Sequence, residues 1–211
     1  MSTAEESALG LRERKKLRTR AAIASAALDL FARHGFQATT IKQIADEADV
    51  APRTVSGYFP AKEELVFPDH EEVFGGLAAR LEQRQPGETA VGALRGWLIA
   101  YLDDDTMADL EESARRRQVI DSDPVLRIYE RGLQERAERI VAAAVAVDLG
   151  LPAADLLPHM VGAATLAALD AIGRQIMADP AEDFRERALA LIDEAMAFIG
   201  AGVSGLAERK E

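Results

Sequence analysis

The chain has 211 residues, 48% of them hydrophobic, which is enough for one large helical domain or two small ones. It has no cysteine, which excludes disulfides, thiol catalysis and cysteine zinc sites. The net charge of −11 is unevenly distributed: residues 12–62 carry ten Lys or Arg against five Asp or Glu, whereas residues 63–211 carry 15 against 29. A basic end on an acidic remainder is typical of a protein that approaches phosphates with one end only.

The N-terminal segment 1–10 is small and polar, and we expect it to be disordered. It lacks the apolar run of a secretory signal, and with the absence of cysteine this indicates a cytoplasmic protein. A helix follows from Leu11 or Arg12 to His34, because its apolar residues recur at three- and four-residue steps. Its first turns carry a basic cluster, formed by Arg12, Arg14, Lys15, Lys16, Arg18 and Arg20.

The basic cluster has two interpretations. It is either a solvated helix end or an arm that reaches a flanking phosphate or the minor groove of DNA. The motif that follows favours the arm, with Arg14, Lys15 and Arg18 as its contacts.

Residues 35–65 predict a helix-turn-helix. Gly35 stops the preceding helix, since glycine readily takes the positive φ favoured just past a helix end. Thr40 and Gln43 have the spacing of a capping box that begins the next helix. One apolar stripe runs along that helix, formed by Ile41, Ile44, Ala45 and Ala48.

The turn and the second helix of this motif follow directly. Asp49 and Val50 make the turn, and Pro52 suits the first position of a helix from about Pro52 to Tyr58. This helix directs one set of side chains outward, namely Arg53, Thr54, Ser56 and Tyr58. Val55 and Phe59 pack inward.

In this stretch the chain resembles the TetR family of one-component transcriptional regulators. Sixteen positions match the family pattern in order: Gly35, Phe36, Ala38, Thr39, Thr40, Ile41, Ile44, Ala45, Ala48, Val50, Thr54, Val55, Tyr58, Phe59, Lys62 and Leu65. Asp49 replaces the usual turn glycine, but Asp tolerates left-handed backbone better than most residues. Ala51 replaces the usual capping Ser, at a cost of about 1 kcal/mol of helix stability. Ser56 and Gly57 also depart from the pattern.

The resemblance implies a set of DNA contacts and a fold. The implied contacts in the motif are Thr40, Lys42, Gln43, Pro52, Arg53, Thr54, Ser56, Tyr58 and Lys62. Arg53 is expected to read a base, and Lys62 is expected to hold a phosphate at the N-terminus of the next helix. The implied fold is all-α, with an N-terminal three-helix DNA-binding domain and a C-terminal helical ligand-binding and dimerisation domain, about nine helices in all.

The rest of the chain is predicted to be helical. The helices are expected at about 61–81, 89–102, 106–121, 124–149, 153–177 and 181–200. The loop at 83–88 is the best domain boundary. The predicted organisation is therefore a disordered N-terminus (1–10), a DNA-binding domain (11–60), a connecting helix (61–82), an effector-binding and dimerisation domain (83–205) and a tail (206–211).

The last two helices are rich in small and apolar residues. Their stripes consist of Gly162, Leu166, Leu169 and Gly173 on one helix and of Ala188, Leu191, Ala195 and Phe198 on the other. Such helices approach closely, and two from each of two chains would form a four-helix bundle, so we predict a homodimer. The alternative is that both stripes belong to the core of a single chain. The most apolar stretch, 160–169, is too short to span a membrane, and we expect no membrane partner.

No arrangement of residues predicts catalysis, a cofactor or a metal. The three histidines, His34, His70 and His159, are far apart in sequence and lack ligand spacing. Arg115–Arg117 form a charge run that is either a solvated face or a partner for an anionic ligand. The candidate ligand contacts are Trp97, Tyr101, Met107, Arg117, Tyr129 and His159. The alternative is a solvated face for Arg117 and ordinary core packing for each of the others. His159 lies in an apolar stretch, where a polar side chain needs a partner.

These patterns predict a dimeric, sequence-specific DNA-binding repressor that a small, mostly apolar ligand releases from a palindromic operator. Residues 52–67 are similar to those of actinobacterial members whose effector domains resemble acyl-CoA-responsive ones. By resemblance, the ligand tilts the connecting helix and so changes the spacing of the two DNA-reading heads. The rival hypothesis is a helical small-molecule carrier or enzyme whose helix-turn-helix serves only as scaffold.

Overall fold

The computed structural model describes residues 10–103, 110–178 and 184–207. Within these ranges every regular element is helical, which confirms the all-α class. The helices are α1 (Leu11–His34), α2 (Ile41–Glu47), α3 (Pro52–Tyr58), α4 (His70–Glu82), α5 (Ala90–Asp103), α6 (Leu110–Ser122), α7 (Pro124–Leu149), α8 (Leu156–Ala178) and α9 (Phe184–Ala207), with one 3₁₀ turn at Glu63–Leu65. The predicted disordered segment 1–10 and the tail 206–211 lie almost entirely outside the described residues.

The chain divides into two compact units. The first unit comprises Met1–Glu71 with Ala108–Arg131, and the second comprises Glu72–Met107 with Gly132–Glu211. Helix α6 and the first turns of α7 therefore belong to the same unit as α1, α2 and α3. The predicted domain boundaries at 60, 82 and 205 stay a prediction.

One apolar core holds the first unit together. Helix α1 contributes Ile23, Ala27 and Phe31, which are almost fully buried. The same core takes buried side chains from α2, α3, the 3₁₀ turn and the α6–α7 region, namely Ile44, Ala45, Val55, Phe59, Leu65, Val66, Val119, Ile120 and Leu126. Short helices such as α2 and α3 gain most of their stability from this burial, since a helix of two turns is marginal by itself.

The connecting helix begins later than the sequence analysis predicts. The expected helix over 61–81 is replaced by the 3₁₀ turn at Glu63–Leu65 and by α4, which starts at His70. The physical reason is Pro68, which has no N–H to donate and whose ring clashes with the carbonyl one helical turn earlier. Proline also disfavours helical backbone at Phe67, the residue before it. The other predicted helices agree with the structure to within a few residues, except where their starts near 106 and 181 lie outside the described residues.

A second apolar core lies in the second unit, between α4, α5, α7 and α9. Its buried side chains include Leu77, Leu81, Ala93, Leu94, Val141, Val145, Ile192 and Met196. Helix α8 approaches α7 most closely at Gly162, where an added Cβ would lie 2.7 Å from the carbonyl oxygen of Glu138. Only glycine fits at that point without a shift of the backbone.

Helices α8 and α9 are unusually apolar for their exposure. By length and composition, Leu156–Ile176 and Phe184–Leu206 could each cross a membrane, with mean hydropathies of 1.4 and 1.5. This corrects the sequence estimate, which ended the apolar stretch at 169. Only 17% and 22% of these segments are buried inside the chain. Much of their apolar surface is therefore available to another partner.

The close approach at Gly162 generates a prediction about stability. We expect Gly162→Ala to lower the free energy of unfolding by about 1–3 kcal/mol, because the new methyl group overlaps the Glu138 carbonyl. Gly132→Ala, on the exposed side of α7 with nothing within 4 Å, is the matched control and should raise it by about 0.5–1 kcal/mol. Urea denaturation followed by circular dichroism at one protein concentration measures both. Equal effects of the two substitutions would contradict the close approach.

Candidate functional site

Helix α2 begins with the predicted capping box. The Gln43 backbone N–H donates to Thr40 Oγ1 at 3.2 Å, and the Thr40 backbone N–H donates to Gln43 Oε1 at 2.8 Å. Both side chains are exposed, so the N-terminus of this helix lies at the protein surface. Lys42, one turn before Asp46, forms an exposed ion pair with it at 2.6 Å. The first turn of α2 thus presents polar groups on the surface beside α3.

The turn between α2 and α3 has the backbone that its sequence requires. Asp49 lies in the left-handed region with φ 51°, which confirms that Asp substitutes for the family's usual glycine here. Pro52 occupies the start of α3, and Ala51 caps it without a side-chain hydrogen bond. The departure at Ala51 therefore leaves the N-terminus of α3 without the bond that Ser supplies.

Helix α3 has one buried and one exposed side. Val55 and Phe59 are buried, as predicted, and fix the helix on the first core. Arg53 and Ser56 are exposed, and Thr54 and Tyr58 are half-buried at the margin. Gly57 adds no side chain and leaves open space above its Cα.

Arg53 is the freest cation of this surface. Within the described residues no hydrogen bond or ion pair holds its guanidinium, whereas Lys42 is paired with Asp46. An exposed arginine without an internal partner can offer its full fork of N–H donors to a ligand. The arrangement can therefore accept an acceptor pair such as guanine O6 and N7.

The structure divides the basic cluster of α1. Lys15, Lys16 and Arg18 are exposed, and Arg14 is half-buried. Arg20 turns inward, and its Nη1 donates to the Tyr58 carbonyl at 3.0 Å while its Nη2 donates to the Pro68 carbonyl. The arm interpretation remains a prediction for the exposed members, but Arg20 is engaged inside the first unit.

Lys62 has an internal role that the sequence analysis missed. Because α4 begins only at His70, Lys62 does not stand at the N-terminus of a long helix, and that argument for a phosphate contact is wrong. Its Nζ donates to the Phe36 carbonyl and lies 4.3 Å from the centroid of the Phe36 ring. Burial lowers the pKa of Lys62, and the nearby Glu63 and Asp123 carboxylates oppose this shift.

Within the first unit, helix α6 is held by polar groups as well as by its core residues. Arg115 Nη1 lies 2.6 Å from Asp29 Oδ1 on α1, and Arg116 Nη1 donates to the Val66 carbonyl at 2.6 Å. The buried Asp123 accepts from Gln37 Nε2 at 3.1 Å. Two members of the Arg115–Arg117 run are thus structural, and the sequence carried no signal for contacts so far apart in the chain.

The predicted ligand residues fall into both units. In the first unit, Arg117 pairs with Asp121 and Glu130, at 2.6 Å each. Burial lowers the pKa of Arg117, but the hydrogen bonds to these carboxylates outweigh it and raise the pKa above its ordinary value. Its charge is therefore already balanced, which argues against a role for Arg117 in binding an anionic ligand. Tyr129 stacks on Phe67 with 5.6 Å between ring centroids.

In the second unit, Trp97 and Tyr101 stack with 5.2 Å between centroids and 10° between ring planes. This aromatic pair is the part of the predicted ligand set that the structure brings together. Met107 lies outside the described residues. His159 is exposed on α8, so the expectation that it needs a buried partner is wrong.

Two surface grooves flank α9 in the second unit. One, of about 300 Å³, lies between α5 and α9 beside the Arg95–Asp193 ion pair. The other, of about 390 Å³, lies between α8 and α9 and is lined by apolar side chains, including Leu157, Met160, Val161, Ala164, Phe198 and Leu206. None of the predicted ligand residues that the structure describes lines either groove.

Comparison with known proteins identifies the family. The profile described as bacterial regulatory proteins, tetR family, matches residues 23–67, and the profile described as the MftR C-terminal domain matches residues 88–204. The HTH-type transcriptional regulator TcmR of Streptomyces glaucescens is 34% identical over 176 residues, which cover 79% of this chain and 75% of TcmR. The chain belongs to the TetR family. Its members are transcriptional regulators and not enzymes.

Solved structures show the same fold. The SmeT–triclosan complex covers 85% of this chain and 90% of its own, with a TM-score of 0.59 and 23% identity. SmeT is described as the repressor of a Stenotrophomonas maltophilia multidrug efflux pump. Thermus thermophilus FadR in complex with lauroyl-CoA covers 85% of this chain and 92% of its own, with a TM-score of 0.53 and 21% identity.

The predicted dimer residues of this TetR-family chain lie in two environments. Gly162 and Ala188 are buried inside the chain, and Leu166, Leu169 and Ala195 pack against the second core. Gly162 and Ala188 have little surface left for a second chain, whereas Leu166, Leu169 and Ala195 are only partly buried, so their part in a dimer interface stays a prediction. Leu191 is half-buried, while Gly173 and Phe198 are exposed. Phe198, with 81% of its surface exposed, remains the strongest candidate for contact with a second chain.

Proposed function

We propose that this TetR-family protein is a dimeric repressor that binds a near-palindromic operator and is released from it by a small, mostly apolar ligand. The observation that carries the proposal is the two-sided helix α3. Val55 and Phe59 anchor it in the core, and the opposite side presents Arg53, which has no partner among the residues that the structure describes. Such a helix can enter the major groove with its side chains at the base edges.

The DNA contacts are proposed in two classes. Arg53 reads a base, most simply guanine through O6 and N7. The second class does not read bases directly: Thr40, Thr54, Tyr58 and Lys62 hold phosphates, and Arg14, Lys15 and Arg18 reach a flanking phosphate or the minor groove. The other proposed contacts of α2 and α3 are Lys42, Gln43, Pro52 and Ser56. For Lys62, a phosphate contact requires exchanging the Phe36 carbonyl for a phosphate oxygen. The acidic remainder of the chain repels DNA and so favours approach by this surface.

A second copy of this chain is the proposed cover for the apolar surface of α8 and α9. Phe198, Met160 and Leu156 expose 81%, 57% and 74% of their surfaces, and the first two border the apolar groove between α8 and α9. Exposed apolar groups beside an apolar groove are typical of a protein interface. A two-fold dimer brings two α3 helices to successive major grooves, about 34–36 Å apart.

The effector is proposed to be a mostly apolar small molecule. The stacked Trp97 and Tyr101 supply a flat aromatic surface in the second unit. Two solved structures of like fold hold ligands with apolar parts: triclosan in SmeT, and lauroyl-CoA, with an apolar acyl chain on a polyanionic coenzyme A, in Thermus thermophilus FadR. A ligand that favours one position of α4 would couple to DNA binding by about 1–3 kcal/mol. The protein would act in the cytoplasm, where the operator is.

The first prediction concerns Arg53 and the operator. Selection of random duplex DNA by the purified protein should yield a two-fold symmetric sequence. Arg53→Ala should then cost about 1–3 kcal/mol at one base position per half-site, because the bidentate contact is lost. Fluorescence anisotropy with operators changed at single positions measures this. Arg33→Ala removes the same charge from the far end of α1 and is the control; an equal loss on all sequences with Arg53→Ala would refute base readout.

The second prediction concerns the dimer. Phe198→Glu should raise the dimer dissociation constant by about a hundredfold or more, because two apolar side chains are buried at a symmetric interface. Sedimentation velocity across a dilution series measures the monomer fraction. Ile128→Glu, at a site in the first unit with 72% exposure, is the matched control and should leave the dimer intact. A dimer that survives Phe198→Glu unchanged would place the interface elsewhere.

The third prediction concerns the ligand. Trp97 is the single tryptophan of the chain, so the tryptophan fluorescence reports only on the surroundings of this side chain. Triclosan or lauroyl-CoA should quench it and, over the same concentration range, dissociate the operator complex. Trp97→Phe should remove the optical signal but keep the ligand response in the anisotropy assay. A ligand that binds equally well to the free and the DNA-bound protein would contradict release.

A further inference from the structure

Arg20 belongs to the basic cluster but is not one of the proposed DNA contacts. Its guanidinium donates to two backbone carbonyls, those of Tyr58 and Pro68, and its central carbon lies 4.4 Å from the centroid of the Phe59 ring. We propose that Arg20 is a positioning residue that fixes the end of α3 to the segment leading into α4, and that it makes no contact with DNA. This inference rests on the proposed function.

The Tyr58 contact acts on the recognition helix itself. Tyr58 is the last residue of α3, and the carbonyls of a last helical turn have no partner within the helix. A cation at this end also matches the negative end of the helix dipole. Arg20 therefore supplies both a hydrogen bond and a favourable charge where α3 stops.

The second hydrogen bond of the same guanidinium goes to the Pro68 carbonyl. Pro68 is buried, and its carbonyl lies two residues before α4 begins. A buried carbonyl needs a donor, and a planar fork can serve two carbonyls at once. The Phe59 ring lies against the guanidinium and restricts its position through a cation–π contact. One side chain thus links α1, the end of α3 and the approach to α4.

This geometry separates Arg20 from its neighbours on α1. Lys15, Lys16 and Arg18 are exposed, whereas Arg20 is half-buried and its donors are directed to protein carbonyls. A lysine carries the same charge but has a single ammonium group that cannot reproduce the fork. If Arg20 acted only through its charge, a lysine at this position would act equally well. If Arg20 positions α3 through two hydrogen bonds, a lysine cannot take its place.

The Arg20 contacts should affect the specificity of DNA binding, that is, the preference for the operator over other sequences. Base readout by Arg53 requires α3 to hold its orientation, whereas attraction of the basic surface to phosphates does not. Loosening the Arg20 contacts should therefore weaken operator binding and leave sequence-independent binding as it is. The number of phosphates neutralised, and with it the salt dependence, should not change.

The test compares Arg20→Lys and Arg20→Met with Arg33→Lys, a charge-preserving control at an exposed site on α1. Binding to the selected operator and to random duplex is measured over a salt series. We expect both Arg20 variants to lose about tenfold in operator affinity, the scale of one charge-assisted hydrogen bond, with an unchanged salt slope and unchanged binding to random duplex. Arg33→Lys should match the wild type.

Two results would overturn the inference. One is full retention of operator affinity by Arg20→Lys. A salt slope reduced by about 0.9 in Arg20→Met would then identify Arg20 as a phosphate contact. The other comes from the wild type, so it does not depend on folding of the variants: a shift of the Arg20 Nη–H resonance on operator binding as large as that of the Arg18 Nη–H resonance. We expect the Arg20 resonance to be protected from exchange in the free protein and to stay in place.

The outcomes also separate this inference from the proposed function. A wild-type protein that selects no sequence from random duplex refutes the proposed function, and the inference with it. Specific binding by the wild type that Arg20→Lys fully retains refutes the inference alone.

Discussion

Burial of the inner side of α3 is the constraint on which the rest of the first unit depends. A helix of seven residues is marginal by itself, so its place and orientation come from Val55 and Phe59 in the core. Each neighbouring feature serves that placement. The left-handed Asp49 sets the direction from which α3 starts, the capping box fixes α2 behind it, and Arg20 holds its last carbonyl.

The core beneath α3 is completed by residues from far along the chain. Val119 and Ile120 of α6 are buried in it, and Arg115 and Arg116 fasten α6 to α1 and to the Val66 carbonyl. A displacement of α6 would therefore alter the packing of the DNA-reading unit directly. This contiguous set of contacts is a physical route for coupling, in which side chains of α6 and α3 share one core.

In the second unit, by contrast, the last two helices, α8 and α9, leave apolar surface uncovered. Gly162 lets α8 approach α7 closely, so this residue of the small-residue stripe is buried inside the chain. Phe198 and Met160 remain in water beside an apolar groove. Both helices are also long enough and apolar enough to cross a membrane. The proposed second copy of the chain would cover this surface with the groups already present, as a two-fold interface requires.

The sequence alone determined what depends on near neighbours. Thr40 with Gln43, the Asp49 turn, Pro52 at the start of α3 and the helix limits at 34 and 149 follow from caps, turn residues and periodicity, all of which act over a few residues. The family also followed from residues close together in sequence. The break at Pro68 was readable by the same rules, and the predicted helix over 61–81 overlooked it.

Only the tertiary structure decided which polar groups face inward. Arg18 and Arg20 are the same residue type two positions apart, yet one is exposed and the other binds the carbonyls of Tyr58 and Pro68. Arg117 is neutralised by Glu130, Lys62 lies on Phe36, and Gly162 is sealed by Glu138. Each of these outcomes depends on a partner distant in the chain or on the rotation of a helix, and local pattern carries no information about either.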